Sequence, residues 1–136
     1  DGCYRANLER LPNVRCTGWL TKDALRNMIS EMHAILSFQK DLGISELEAL
    51  RAGKILIAWN SRTAAKIIDH QKSGFLCSSN CSSFIEAIKW LRIHKDKINE
   101  ISNESIKRIK EYFDENKIID SWVSTCKSLL VNGEKQ

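Results

Sequence analysis

The chain has 136 residues, of which 43% are hydrophobic and 28% charged, with a formal net charge of +4. This length suits a single domain, and this composition is that of an ordinary globular protein. With one proline and six glycines, the chain is neither fibrous nor of low complexity. Its lysines are spread along predicted helices rather than clustered with arginines and aromatics, so we expect no nucleic-acid partner.

The five cysteines are odd in number and irregularly spaced, so no disulfide framework is predicted. Reduced thiols are typical of the cytoplasm, which is the expected location. Cys77 and Cys81 do not form a C-x-x-C pair, so no zinc site is predicted. No apolar run approaches the roughly 18 residues of a membrane-spanning helix, and any attachment to a membrane would be peripheral.

Short apolar runs predict four β-strands, over residues 14–17, 34–38, 54–59 and 74–77. Continuous apolar runs of this length, separated by helices, are typical of strands buried on both faces of a parallel sheet. Helices are predicted over 5–11, 22–32 with Thr21 as N-cap, 45–52 and 63–70. The fold class is therefore α/β.

After Ser82 the pattern is entirely helical. Ser83 and Glu86 have the spacing of a capping box, and a further helix is predicted over 103–113. The last helix, over 118–130, carries an apolar stripe at helical spacing, which indicates a packing face. That face either packs within the chain or awaits a partner.

The segment SFQKDLGISELEALRAGKILIAWNSRTAAKIIDHQKSGFLC, from Ser37 to Cys77, resembles the donor-binding region of GT-B-fold glycosyltransferases of the family 4 type. In that family a loop E-G-F-G-L leads into a helix with a second glutamate and A-x-x-x-G. A strand, a P-E helix and a G-L-L-V strand follow. Asn13 to Leu20 resembles N-V-R-F-x-G-W-L, and Asp1 to Arg5 the end of a G-D-G-P-Y-R turn. The resemblance covers nearly the whole chain.

The resemblance implies roles for particular residues. Backbone groups of Gly43, Ile44 and Ser45 would hold phosphate or sugar, and Glu48 would accept hydrogen bonds from the ribose. The remaining implied donor-binding residues are Lys40, Arg62, Thr63, Trp19 and Leu20. Of these, Lys40 and Arg62 would neutralise charge, while Trp19 and Leu20 would line the nucleobase pocket. No residue is assigned a catalytic role, and neither a metal nor another cofactor is implied.

Two lysines depart from the family pattern. Lys40 stands where the family has its first glutamate, and Lys66 stands at the glutamate of P-E. Lysine has only hydrogen-bond donors, so Lys40 cannot accept bonds from sugar hydroxyls. The loop still offers glycine at Gly43 and the amide groups of a helix start, which attract a diphosphate.

Three residues have simpler interpretations that the sequence leaves open. Glu48 could complete a capping box with Ser45 through the S-x-x-E spacing. Arg62 could be an exposed arginine at a helix entry. Trp19 could be half-buried against the edge of the sheet.

In the Rossmann-like strand order 3-2-1-4-5-6, residues 14–17 match the third strand and 34–38 the fourth. The first two strands and the acceptor domain are not found, so residues 1–136 are expected to form a single, incomplete C-terminal domain. A sheet without central strands exposes unpaired backbone groups. The missing acceptor domain or another chain is therefore an expected partner.

The expected function is hexosyl transfer in glycan biosynthesis, from a nucleotide-diphospho-sugar to a glycan or lipid-linked acceptor, by a retaining mechanism. This chain would supply the donor-binding portion and is expected to be inactive alone. The alternative is a degenerate, non-catalytic module that binds a partner chain. A receiver-type domain would need acidic residues at the end of its first strand, and Thr17-Gly18-Trp19 offers none.

Overall fold

The computed structural model describes residues 3–133, with side chains up to residue 130. Asp1 and Gly2 of the predicted opening turn lie outside the described residues. The chain divides into two compact units, residues 1–32 and 33–136. Each unit is described by itself below.

The first unit contains two helices, α1 (Arg5–Leu8) and α2 (Lys22–Glu31). The hydroxyl of Thr21 accepts a hydrogen bond from the Ala24 N–H at 3.3 Å, which confirms the predicted N-cap of α2. Helix α1 is shorter than predicted and buries no residue. The apolar side of α2 centres on Ile29, which is buried.

The strand predicted over residues 14–17 is wrong, because this segment is irregular. A β-strand exists only where a neighbour accepts its backbone hydrogen bonds, and the segment forms no such ladder within the described residues. Val14, Arg15 and Thr17 are exposed, so burial does not favour an extended conformation either. The sheet therefore has three strands rather than the expected four.

The second unit alternates strands and helices. Its elements are β1 (Ala34–Ser37), α3 (Ile44–Arg51), β2 (Ile55–Trp59), α4 (Ala64–Ile67), β3 (Phe75–Cys77), α5 (Cys81–Ile93), a 3₁₀ turn (Lys95–Lys97), α6 (Ile98–Tyr112) and α7 (Glu115–Gly133). The predicted α/β class, with a partial Rossmann-like parallel sheet, is confirmed.

The three strands are parallel and lie in the order β1-β2-β3. Ala34 pairs with Ile55 in one ladder, and Ile57 pairs with Phe75 in the other. The central strand β2 is the most buried element, with residues 55–58 at most 1% exposed. Strand β1 is an edge of this sheet, since it pairs with β2 and with no second strand among residues 3–133.

Alternate side chains of β2 enter two hydrophobic clusters on opposite faces of the sheet. Ile55 and Ile57 pack in a cluster with Phe84 and Leu91 of α5. Leu56 and Ala58 belong to the other cluster, which is completed by Leu50, Ala64, Ile67, Ile68 and Ile109. This alternation follows from the two-residue repeat of a strand and makes a layered helix–sheet–helix core.

Helix α5 begins earlier than predicted because Asn80 is its N-cap. The Asn80 side chain accepts a hydrogen bond from the Ser83 N–H at 2.9 Å. The capping box predicted for Ser83 and Glu86 is therefore wrong. In that box the Glu86 side chain would accept the Ser83 N–H. This N–H already donates to the side-chain oxygen of Asn80, three residues upstream.

Helix α7 carries the predicted apolar stripe, but the stripe is not a packing face within this chain. All of its side chains from residue 115 to 130 are exposed. Trp122 is 71% exposed and Leu130 is 73% exposed.

A groove of about 520 Å³ is lined by residues of β1, β2 and α5. Leu36, Ile57 and Ile88 are among its apolar lining residues. Leu36 is 42% exposed although it lies in a strand and pairs with the buried Ile57. None of the helices in the described part of the chain is long and apolar enough to cross a membrane.

Gly74, immediately before β3, lies close to the backbone of β2. Its φ is +157°, and a Cβ there would lie 2.7 Å from the Leu56 carbonyl oxygen and 3.0 Å from Cγ2 of Ile68. Because backbone cannot yield as a flexible side chain does, we expect Gly74→Ala to lower the free energy of unfolding by about 1–3 kcal/mol. Urea denaturation measures this change.

The matched control is Ala65→Ser, a small exposed substitution on α4. It should change the free energy of unfolding by less than about 0.5 kcal/mol. A Gly74→Ala variant as stable as this control would contradict the close approach.

Candidate functional site

The predicted site residues of the second unit lie in two loops that leave the same edge of the sheet. Residues 38–43 follow the carboxyl end of β1, and residues 60–63 follow the carboxyl end of β2. Because β1 and β2 are parallel and in register from Ala34–Ile55 to Ser37–Ala58, both loops emerge on one side. Ligands of open α/β sheets bind outside this edge.

A direct hydrogen bond joins the two loops. The hydroxyl of Thr63 donates to Oδ1 of Asp41 at 3.2 Å. The Ser61 hydroxyl lies 3.1 Å from that of Thr63 and accepts the Ala64 N–H at the start of α4, also at 3.1 Å. The Asn60 N–H donates to the Cys77 carbonyl at 2.8 Å, which connects the second loop to the end of β3.

A buried carboxylate holds the start of α3 against the end of β1. Glu46 is 9% exposed, and its Oε1 accepts the Ser37 hydroxyl at 2.9 Å. Its Oε2 accepts the Gly43 N–H at 3.1 Å. Ser37, itself 2% exposed, and Glu46 thus satisfy each other in the interior while fixing the path of the intervening loop.

The alternative in which Ser45 and Glu48 form a capping box is wrong. Helix α3 begins at Ile44 with Gly43 as N-cap, so Glu46 is the third helical residue. Its carboxylate accepts the N–H of the N-cap residue, as the glutamate of a capping box does. Glu48 lies further along α3 and is exposed. Its carboxylate is therefore not occupied by helix capping.

Gly43 serves a purpose other than a left-handed turn, since its φ is −91°. A Cβ at this position would lie 3.0 Å from Oε2 of Glu46. The absence of a side chain therefore leaves room for the Glu46 carboxylate to reach the Gly43 amide. The amides of Ile44 and Ser45 precede the first intrahelical bond, from the Leu47 N–H to the Gly43 carbonyl at 3.3 Å.

The other predicted site residues of this unit are exposed, either in the two loops or on α3. They are Lys40, Ile44, Ser45, Glu48, Arg62 and Thr63. Of the charged residues, Lys40 lies in the first loop and Arg62 in the second, and Asp41 and Glu48 supply exposed carboxylates. For Arg62, its exposure also matches the simpler interpretation of a solvated residue at the entry to α4.

Trp19 and Leu20 belong to the first unit. Trp19 is 95% exposed. Leu20 is partly buried.

The cysteines of the described residues are free thiols. Cys77, at the end of β3, is 3% exposed, and burial raises the pKa of its thiol. It therefore stays protonated at neutral pH and packs as a small apolar residue. No three His, Cys, Asp or Glu side chains lie close enough to hold a metal ion in the part of the chain that the structure describes.

Sequence patterns did not identify two residues that form contacts at this edge, Asp41 and Glu46. Glu46 lies three residues after Gly43, which is the spacing between the N-cap and the third helical residue. Because glycine is a common N-cap, the sequence pattern was sufficient to predict this pair. Asp41 had no comparable pattern. Its contact with Thr63 joins residues 22 positions apart and depends on the sheet.

The family comparison matches the chain along most of its length. A family model described as "Glycosyl transferases group 1" matches residues 3–111. The chain belongs to this glycosyltransferase family. The predicted GT-B relationship is thereby confirmed, and the matched region includes both loops and α3. The comparison with curated proteins found no match.

We expect the buried Glu46 to stabilise this glycosyltransferase domain. In Glu46→Ala, the Ser37 hydroxyl and the Gly43 N–H lose their common acceptor. We expect the free energy of unfolding to fall by about 1–3 kcal/mol, the cost of unpaired buried polar groups. Thermal or urea unfolding measures it.

Glu48→Ala is the matched control, because it removes an exposed glutamate two positions away on the same helix. Its effect should stay within about 0.5 kcal/mol. Equal losses in the two variants would show that the Glu46 contacts do not stabilise α3.

Proposed function

We propose that this chain is the donor-binding portion of a retaining glycosyltransferase of the family 4 type, which uses a nucleotide-diphospho-sugar. Membership of the glycosyl transferases group 1 family supports glycosyl transfer. The observation that supports a donor site is the Thr63–Asp41 bond at 3.2 Å, because it joins the two predicted donor loops at the carboxyl edge of the sheet. The acceptor would be a glycan or a lipid-linked glycan.

The start of α3 suits the diphosphate of such a donor. The amides of Ile44 and Ser45 open the helix, where the helix dipole favours an anion. Lys40, in the loop that leads into α3, and Arg62, in the loop after β2, are both exposed and would neutralise phosphate charge. Arg62 can do so with two parallel hydrogen bonds, whereas Lys40 acts as a point charge.

Glu48 suits the ribose. A carboxylate offers two acceptor oxygens to the vicinal hydroxyls of a ribose. Its exposure, and its exclusion from the capping of α3, leave the side chain available for this contact.

The chemistry proposed for the site is electrostatic. As the glycosidic bond of the donor breaks, charge develops on the departing diphosphate. The amides at the helix start are fixed and lower the energy of that state without reorganising, and the two cations add favourable charge. No metal or other cofactor takes part in this proposal, and no residue is assigned as a nucleophile or base.

The proposal includes a partner for the donor-binding portion. Either an acceptor domain or another chain would complete the enzyme, and the chain by itself would not transfer sugar. Its free cysteines favour a cytoplasmic location, with peripheral attachment where the acceptor is lipid-linked.

A second candidate function is a non-catalytic, glycosyltransferase-like module that binds a partner protein. The exposed apolar stripe of α7 favours it, since Ile119, Trp122 and Leu129 are each more than half exposed. The replacement of two expected glutamates by Lys40 and Lys66 also favours it.

Calorimetric titration with uridine diphosphate and guanosine diphosphate separates the two candidates. The donor-binding proposal predicts saturable binding of at least one of them, weakened about tenfold in Glu48→Ala because hydrogen bonds between ribose and a charged carboxylate are lost. Glu86→Ala, an exposed change on α5, is the control and should bind as the unmodified chain does. Absence of binding at millimolar nucleotide would favour the partner-binding module.

A further inference from the structure

The guanidinium group of Arg108 joins α6 to the carboxyl end of α4. Its Nε donates to the Ile67 carbonyl at 2.8 Å, and one terminal nitrogen donates to the Lys66 carbonyl at 3.3 Å. The other terminal nitrogen forms a charged hydrogen bond with Oδ2 of Asp69 at 2.9 Å. Arg108 and Ile67 are 41 positions apart in the sequence, so this contact exists only in the folded chain.

Helix α4 is too short to be stable without such contacts. It has four residues, and a helix of this length does not persist by itself in water. The last carbonyl groups of a helix have no N–H partner within it. The Ala64 carbonyl accepts the Ile68 N–H at 2.8 Å, whereas the carbonyls of Lys66 and Ile67 accept from Arg108. Arg108 is therefore a C-terminal cap of α4 that comes from another helix.

The amino end of α4 carries the second of the two site loops. The Ala64 N–H donates to the Ser61 hydroxyl at 3.1 Å, and the Thr63 hydroxyl donates to Asp41 of the first loop at 3.2 Å. Arg62, which would neutralise phosphate charge in the proposed donor site, lies between Ser61 and Thr63. A hydrogen-bonded path thus runs from α6 through α4 to both loops.

Helix α6 is a firm base for this path. It has 15 residues, against four in α4. Ile109 is 4% exposed and belongs to the same hydrophobic cluster as Ala64 and Ile67 of α4. Because Arg108 directly precedes Ile109 in the chain, its backbone is held by the core. The loop that carries Arg62 is exposed and depends on α4 for its position.

We propose that Arg108 is a positioning residue of the donor site, which holds the second loop so that Arg62 can meet the diphosphate of a nucleotide-sugar. The inference rests on the proposed function and adds to it a residue outside both loops. Arg108 acts through α4, because its three hydrogen bonds are made to the end of this helix and to Asp69. Without its cap, α4 would no longer fix the loop, and Arg62 would spend less time near the phosphates.

Two variants separate the hydrogen bonds of Arg108 from its charge. Arg108→Met removes both but keeps the aliphatic part of the side chain. Arg108→Lys keeps the charge but loses the planar group whose nitrogens bond three acceptors in a fixed geometry. In calorimetric titrations, we expect both variants to weaken the binding of uridine or guanosine diphosphate at least about fivefold.

Lys107→Met is the matched control for these variants. It removes an exposed cation from the same helix, one position away from Arg108. Because an exposed charge is screened by salt, its loss should change the affinity for either diphosphate by less than about twofold at 0.15 M salt.

A double-mutant cycle with Arg62 tests the positioning role itself. Arg62→Ala removes the side chain that Arg108 is proposed to position, so adding Arg108→Lys to it should weaken binding by less than about twofold further. A residue that only stabilised the fold would weaken binding by the same factor in both backgrounds. The cycle uses Arg108→Lys because this variant keeps the charge that pairs with Asp69, so the test does not depend on whether Arg108→Met folds.

Hydrogen exchange locates the effect of Arg108→Lys within the second unit. The amides of Ala65 and Ile68 should exchange faster, since they belong to the helix that loses its cap. The amides of Leu47 and Ala52, at the two ends of α3, should keep the rates of the unmodified chain. Equal acceleration in both helices would indicate a global loss of stability and would contradict a role specific to α4.

The outcomes separate this inference from the proposed function. If a diphosphate binds but Arg108→Lys does not weaken it, or weakens it equally with and without Arg62, the positioning role is overturned while donor binding stands. The same holds if Arg62→Ala alone leaves binding unchanged. If neither diphosphate binds the unmodified chain, both the inference and the proposed function are overturned. Urea unfolding of each variant confirms that it is folded during the titration.

Discussion

The candidate site depends on the burial of the central strand. Residues 55–58 of β2 are almost inaccessible to water, and their side chains alternate between two hydrophobic clusters. Each cluster packs helices onto one face, so β2 fixes the sheet between two layers. Because β1 and β3 pair with β2 in parallel, all three strands end at one edge. The loops that carry the site begin there, and their spacing is inherited from the strand spacing of the sheet.

A second constraint acts within the first loop. Glu46 is a carboxylate in the interior, and its two oxygens accept from Ser37 and Gly43. Burial of an unpaired carboxylate would be costly, so this pairing fixes both the end of β1 and the first turn of α3. The loop between them is thereby closed at its base, while Lys40 and Asp41 remain exposed. The residues that fix the shape of the loop are therefore different from the exposed residues that can contact a ligand.

Sequence patterns predicted the second unit better than the first. Strands β1, β2 and β3 were found within one residue of their ends, since continuous apolar runs reflect burial on both faces. Residues 14–17 have a similar pattern but form no strand, because pairing requires a neighbour that the pattern cannot supply. In α5, Asn80 displaced the predicted capping box for a local reason, a closer side-chain acceptor. The α7 stripe was located correctly, but its exposure could not be inferred from spacing alone.

The sequence by itself determined the α/β class, the order of the elements in residues 33–133 and the relationship to glycosyltransferases, because these depend on local periodicity and on short motifs. Only the tertiary structure decided which polar groups form hydrogen bonds inside the protein and which remain exposed. It assigned Glu46 to the interior, left Glu48 exposed and brought Asp41 to Thr63 across 22 positions. The physical reason is that hydrogen-bond partners are chosen by distance in space, which the packing of the sheet sets and residue spacing does not.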